Sequence, residues 1–270
     1  MQITDKVFVV TGGGNGIGRE VVLGLLARGA RVAALDLRED SLAETASLAT
    51  VPEGRLSLHT VDVSSHDEVA RAFAEVVSAH GHIDGLLNVA GIIQQFVPLL
   101  DLEIAEIEKV MGVNFWGVLY TTKAALPHLV TRPEACVINV ASMGGFIPVP
   151  GQSAYGASKA AVKLLTEGLY AELRETDIAV TIVFPGAIGT DITKNSGVAT
   201  PGSGDRAAKG GSFPMTSAKD AAAQIIEAVE KGPFRVTIGR DAAMLDRLSR
   251  LAPQRATEMI AKKMASLLDR

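Results

Sequence analysis

The chain has 270 residues, 47% of them hydrophobic, and a formal net charge of −4. That length accommodates one large α/β core. The mild acidity excludes the clustered positive surface that nucleic-acid binding requires.

In chain order, short β-branched runs alternate with helix-like segments. Strands are expected at Lys6–Thr11, Arg31–Asp36, Arg55–Asp62, Ile83–Asn88, Ala135–Ala141, Ile178–Phe184 and Phe234–Ile238. These runs are nearly continuous in apolar residues, as strands covered on both faces should be. Helical patterns fill the gaps at Gly16–Arg28, His66–His80, Ile104–Leu129 and Ser153–Thr176. Such alternation predicts a Rossmann-type, doubly wound, parallel seven-stranded sheet with right-handed crossovers. The domain is expected over 1–240, with a polar, glycine-rich lid at about 190–217. A C-terminal helical extension follows over 241–270. In it, Ala256, Met259, Ile260, Met264, Leu267 and Leu268 share one helical face. That face is read as packing on its own body or on a subunit neighbour rather than on a membrane, because the segment is short and mixes charges.

The single cysteine, Cys136, lies in an apolar run and excludes an internal disulfide framework. No leader-like or membrane-spanning pattern stands in the sequence, so a cytoplasmic location is expected. The histidines lack metal-ligand spacing, and no catalytic metal is expected.

The first strand runs into its helix through Thr11-Gly-Gly-Gly-Asn-Gly-Ile-Gly18. Gly12 permits the turn, Gly16 lets backbone approach a pyrophosphate, and Gly18 lets helix and strand pack closely. The helix N-terminus then offers N–H groups and a positive dipole end to phosphates. Asp36 closes the second strand. A carboxylate there accepts bonds from ribose hydroxyls and repels a 2′-phosphate. Further on, Ser142 ends an apolar strand, and Tyr155 and Lys159 stand four apart at the start of a long helix. Residues at that spacing share one helix face. A nearby cation lowers a phenol's pKa toward the range where it works as a base.

Both patterns together resemble the short-chain dehydrogenase/reductase family, in its shorter branch with TGxxxGxG and YxxxK motifs. The resemblance covers residues 5 to about 240. It implies an oxidoreductase that moves a hydride between NAD and a secondary alcohol or ketone. Tyr155 is the implied general acid/base, Lys159 its pKa-lowering and ribose-binding partner, and Ser142 the group that steadies the substrate oxygen. Asn114 is implied to hold a proton-relay water. The implied cofactor-binding set adds Asn15, Ile17 and Leu37 to the glycines and Asp36. It continues with Asp62 and Val63, then Asn88, Ala90 and Gly91, then Pro185, Gly186, Ile188 and Thr190. Valine stands at position 89 where the family's NNAG motif has its second asparagine. Asn15 in the glycine turn and Asp36 favour NAD over NADP; Arg38 is read as a solvated charge. Family geometry puts Ile92, Ile93, Gln94, Met143, Gly144, Phe146, Ile147 and Val149 near the substrate, and their apolar character suggests a lipophilic one. A homodimer or homotetramer is expected through the long helices. The alternatives weighed are a catalytically silent NAD(H)-sensing protein on the same fold, against which the intact tetrad argues, and a sugar-nucleotide epimerase, whose larger substrate domain has no counterpart here.

Overall fold

A computed structural model describes residues 1–198 and 215–265. Most of the expected lid, with Arg206 and Lys209, therefore lies outside the described residues, as do Leu267, Leu268 and Arg270.

The seven long strands are β1 (Val7–Thr11), β2 (Arg31–Asp36), β3 (Leu56–Thr60), β4 (Gly85–Asn88), β5 (Ala135–Val140), β6 (Ile178–Pro185) and β9 (Arg235–Ile238). They form one sheet in the order β3-β2-β1-β4-β5-β6-β9, and every pairing is parallel. A two-residue pair, β7 (Ile188–Gly189) and β8 (Thr216–Ser217), stands apart. Between β1 and β4 the winding reverses, and such switch points open a crevice at the carboxyl ends of the strands.

Both faces of the sheet are buried. Phe8, Val10, Val32, Ala34, Leu87 and Ile138 pack under α1 (Gly16–Ala27) and α8 (Ala218–Lys231). On the opposite face, Val9, Ala33, Leu35, Leu86 and Val137 meet α3 (His66–His80), α5 (Gly117–Leu129) and α6 (Ser153–Glu172). Successive strand residues point to opposite faces, so a strand covered twice is apolar along its length, as β1 and β4 are up to their last residues, Thr11 and Asn88. β3 differs. As the sheet's edge it is mostly half-buried or exposed and carries Ser57 and His59. A second helix, α2 (Glu39–Leu48), links β2 to β3.

The expected helix Ile104–Leu129 is three pieces. α4 (Ile104–Met111) leads into a wider π-turn at Gly112–Trp116 and then α5. Such bulges recur at functional sites, and this one carries Asn114. The short α7 (Ile192–Asn195) follows β7. The C-terminal extension is two helices, α9 (Arg240–Leu251) and α10 (Pro253–Lys263). They break at Ala252-Pro253, because the residue before a proline avoids the helical conformation. Their buried Leu245, Ala256 and Ile260 pack on Ile147, so the extension folds back onto its own chain.

Candidate active site

A cavity of about 490 Å³ lies at the carboxyl ends of the strands. Each strand delivers part of its wall. β1 ends in the glycine turn; a side chain on Gly18 would collide with the Gly12 carbonyl oxygen, so only glycine lets α1 begin this close to the strand. Asn15 precedes α1 without a side-chain cap, and no acidic residue occupies the first turn. The N–H groups and dipole end there are thus left for an anion. Asp36 is held by backbone: its Oδ2 accepts from Gly14 N at 2.9 Å and its Oδ1 from Arg38 N at 3.1 Å. These features fit an adenine dinucleotide: a phosphate cradle, then a fixed carboxylate at the ribose end of the same wall.

After β4, the Thr11 hydroxyl accepts from Val89 N at 3.0 Å and Ala90 N at 3.1 Å. This fixes the bend that brings Ala90 and Gly91 to the cavity. After β5 comes Ser142, which caps a short 3-10 turn by accepting from Gly144 N at 3.1 Å. Tyr155 and Lys159 reach the same cavity from the first turns of α6. Burial pushes the Tyr155 phenol above its ordinary pKa, and a hydrogen bond from Ser142 pulls the other way. Lys159 is 3% exposed and donates to the Val140 carbonyl at 3.1 Å. Burial draws its ammonium down from 10.5 to about 8. The expected depression of Tyr155 by Lys159 is thus not what sets the phenol here: desolvation dominates both groups, raising the acid and lowering the amine.

Of the sequence-predicted residues, Gly12, Asn15, Gly16, Ile17, Gly18, Asp36, Leu37, Asp62, Val63, Ala90, Gly91, Pro185, Gly186, Ile188 and Thr190 line the cavity, as do Ser142, Tyr155, Lys159, Ile92, Ile93, Met143, Gly144 and Val149. Five others do not. Asn88 is buried behind the wall. Its amide nitrogen donates to Asn139 Oδ1 at 2.9 Å and its oxygen accepts from the Thr121 hydroxyl at 2.8 Å, so it ties β4 to β5 and α5. Asn114 also stands behind the wall. Its Oδ1 accepts from Ile92 N, and its Nδ2 donates to the Ile92 carbonyl and the Ser158 hydroxyl, each at 2.9 Å. These bonds tie its side chain to Ile92 and α6, and Oδ1 keeps a second lone pair. A side chain at Gly91 would meet Lys159 Nζ at 3.1 Å and Asn114 Oδ1 at 3.3 Å, so lysine and asparagine do converge there.

Gln94, expected at the substrate, is fully buried. It donates to the Gly151 carbonyl at 3.0 Å and accepts from Tyr155 N at 2.9 Å, fastening the start of α6. Phe146 turns away to meet Phe184 edge-on at 5.2 Å between ring centres. Ile147 is buried among α9 and α10.

Sequence reasoning missed several wall residues: Arg38, Phe96, Gln152, Ile192 and Asn195, together with Met264 beyond the end of α10. Arg38 leans across to Asn195, 3.4 Å from guanidinium to amide oxygen. It also missed Asp241, the buried carboxylate that accepts from Ala187 N at 2.8 Å. Asp241 opens α9, and it pins the segment after β6 from behind.

A doubly wound sheet, a nucleotide cradle at its switch point and a Ser–Tyr–Lys set in one cavity define a dinucleotide-dependent oxidoreductase. The chain belongs to the short chain dehydrogenase family, whose model matches residues 6–200. It is similar to SadH of Mycobacterium tuberculosis, a protein named as an oxidoreductase, at 36% identity over 266 residues. That match covers 96% of this chain and 95% of the relative, so the likeness takes in the C-terminal extension. A short chain dehydrogenase/reductase from Burkholderia phymatum, solved with NAD, superposes with TM-score 0.82 at 25% identity, covering 95% of this chain and 97% of that one. A short chain dehydrogenase from Burkholderia cenocepacia, solved with NADP, gives 0.79 at 27% identity, covering 96% and 99%.

Proposed function

We propose that the protein moves a hydride between NAD and a lipophilic secondary alcohol or ketone, with Tyr155 as acid and base. The observation that carries this is the meeting of Ser142, Tyr155 and Lys159 in one cavity with the uncapped turn of α1 and Asp36. The nicotinamide supplies the hydride when bound. The chain's residues manage the oxygen and its proton. In reduction, the Tyr155 O–H gives its proton to the carbonyl oxygen as the carbon accepts hydride; the raised phenol pKa keeps that proton in place at neutral pH. Ser142 donates to the same oxygen and stabilises its developing charge. Oxidation runs the steps backward and needs the phenolate, which a cation beside the ring favours; Lys159 is the candidate.

Asp36 supports NAD over NADP. Both its oxygens hold backbone N–H groups, so the carboxylate is fixed where a 2′-phosphate would come. Arg38, engaged with Asn195, is the counterweight. Assembly through the α5–α6 side is supported by exposed Trp116 and Leu164, 44% and 69% accessible.

The test is absorbance of reduced nicotinamide with NAD⁺ or NADP⁺ and a panel of secondary alcohols. Turnover with NAD⁺ should fall at least about a hundredfold in Tyr155→Phe, the scale of general acid–base catalysis, while NADH still binds. Tight NADH binding with no turnover on any alcohol or ketone would overturn the enzymatic reading in favour of a sensor.

A further inference from the structure

The helix that carries Tyr155 and Lys159 lacks its own cap. The first N–H groups of a helix have no partner inside it, and the side chain just before the helix commonly accepts from the N–H of its second or third residue. In α6 the third residue is Tyr155, and Gln152, which holds the capping place, makes no such bond.

The missing acceptor comes from the loop after β4. Gln94 Oε1 accepts from Tyr155 N at 2.9 Å, and Gln94 Nε2 donates to the Gly151 carbonyl at 3.0 Å. A backbone N–H only donates and a carbonyl only accepts, so the two ends of the amide cannot be exchanged. Gln152 returns the contact, donating from Nε2 to the Gln94 carbonyl at 2.8 Å. Three bonds therefore join this loop to the first turn of α6, and Gln94 is 0% exposed, so water cannot stand in for them. The Tyr155 ring is packed as closely. A side chain on Gly144 would come within 3.2 Å of Tyr155 Cε1, so the ring lies directly against the loop that follows Ser142.

We propose that Gln94 is a positioning residue for the proton transfer. By capping α6 at Tyr155 itself, it holds the phenol in register with Ser142. This rests on the hydride-transfer reading for what Tyr155 does.

The test compares wild type, Gln94→Met and Gln94→Glu as whole proteins, with NAD⁺ and the fastest alcohol of the panel. Methionine keeps the length and removes both side-chain bonds. Its kcat should fall between about tenfold and a hundredfold, the scale of a small misplacement of a reacting group, while the Kd of NADH stays as in wild type. A Gln94→Met protein that is less stable but keeps its kcat overturns the proposal, because a merely structural bond costs only Tm. Glutamate decides the matter again, whether or not Gln94→Met folds. Ionised, it sets an acceptor against the Gly151 carbonyl. Protonated, it matches glutamine, accepting from Tyr155 N and donating to Gly151. Burial raises a carboxyl's pKa, so the kcat of Gln94→Glu relative to wild type should climb as pH falls below neutrality. Glu106, bonded to Gln95 N, titrates in both proteins, as do Tyr155 and Lys159, so the ratio removes them. A ratio that does not change with pH overturns the proposal. If wild type turns over no alcohol, the hydride-transfer reading fails by itself. Gln94 is then judged by the phenolate absorbance of Tyr155, taken against the matching Tyr155→Phe protein. That titration should shift in Gln94→Met, and an unmoved one overturns the positioning role.

Discussion

Replacing Lys159 with methionine should make the protein more stable while abolishing its proposed activity. The side chain is 3% exposed, and its ammonium is drawn from 10.5 to about 8 by burial alone. A folded-state pKa below the unfolded one means that the charged form is disfavoured on folding. The difference of about 2.5 units corresponds to roughly 3 kcal/mol of destabilisation at pH 7, at 1.36 kcal/mol per unit. Methionine has nearly the same length and no charge. It forfeits the bond to the Val140 carbonyl, taken as about 1 kcal/mol, leaving a net gain of about 2 kcal/mol. For a chain of this size that raises Tm by roughly 4 °C. The sign gives a second check. The Lys159 contribution is regained only where the ammonium titrates, so wild-type stability should climb relative to Lys159→Met as pH rises from about 8 toward 10.5. Thermal denaturation of both proteins from pH 7 to 10 is the assay. A variant no more stable than wild type at pH 7, or a constant gap between the two across that range, refutes the reasoning that Lys159 is an uncompensated buried charge.

Two more outcomes follow from groups outside the reacting set. Asp241→Ala removes the acceptor of Ala187 N and frees the segment after β6; a bond to a buried carboxylate is worth about 1.5–3 kcal/mol. NADH affinity measured by fluorescence should weaken roughly tenfold, and an unchanged Kd would show that the segment holds itself. At the sheet's edge, burial first, then the charges of His59, Arg31 and His82, hold the His80 pKa below 6.5. With the folded value depressed, stability is full above pH 6.5 and drains as pH falls below it. His80→Gln should flatten that acid limb of the Tm profile, and an identical limb in both proteins would clear His80.

How much of this was legible in the sequence depends on how local each feature is. Strand positions and the glycine turn follow from periodicity and backbone sterics within a few residues, so β1, α1 and Asp36 stand where the pattern puts them. Tyr155 and Lys159 follow from helix geometry in the same way. The errors cluster where the chain leaves regular structure. Along the loop after β5, neighbouring residues diverge. Met143 and Gly144 face the cavity, whereas Phe146 turns to Phe184 and Ile147 to α9 and α10. Their apolar character was the same; their partners lay far away in sequence. Gln94 shows the same limit for a polar residue. Nothing near position 94 indicates that its amide is consumed by Gly151 and Tyr155. The break of Ile104–Leu129 at Gly112–Trp116 left no mark in the hydrophobic pattern, because a π-turn adds one residue and the apolar face resumes after it.

The C-terminal extension carries the sharpest form of that limit. Periodicity identifies an apolar face on α10 but is silent about what covers it. In the folded chain the extension works on the site at three depths. At its start, Asp241 accepts from Ala187 N behind the cavity wall. One turn on, the buried Asp246 pairs with Arg235 of β9 and with Arg250; the Arg235 guanidinium lies 4.1 Å over the Phe184 ring and 3.6 Å from Glu167 of α6. At its end, Met264 joins the cavity wall itself. The same two helices therefore fasten the segment after β6, reach α6 through Arg235, and lead to Met264 in the cavity wall. A change of sequence in α9 or α10 reaches the cavity wall and the far turns of α6 together, so the extension belongs to the packing that shapes the cavity.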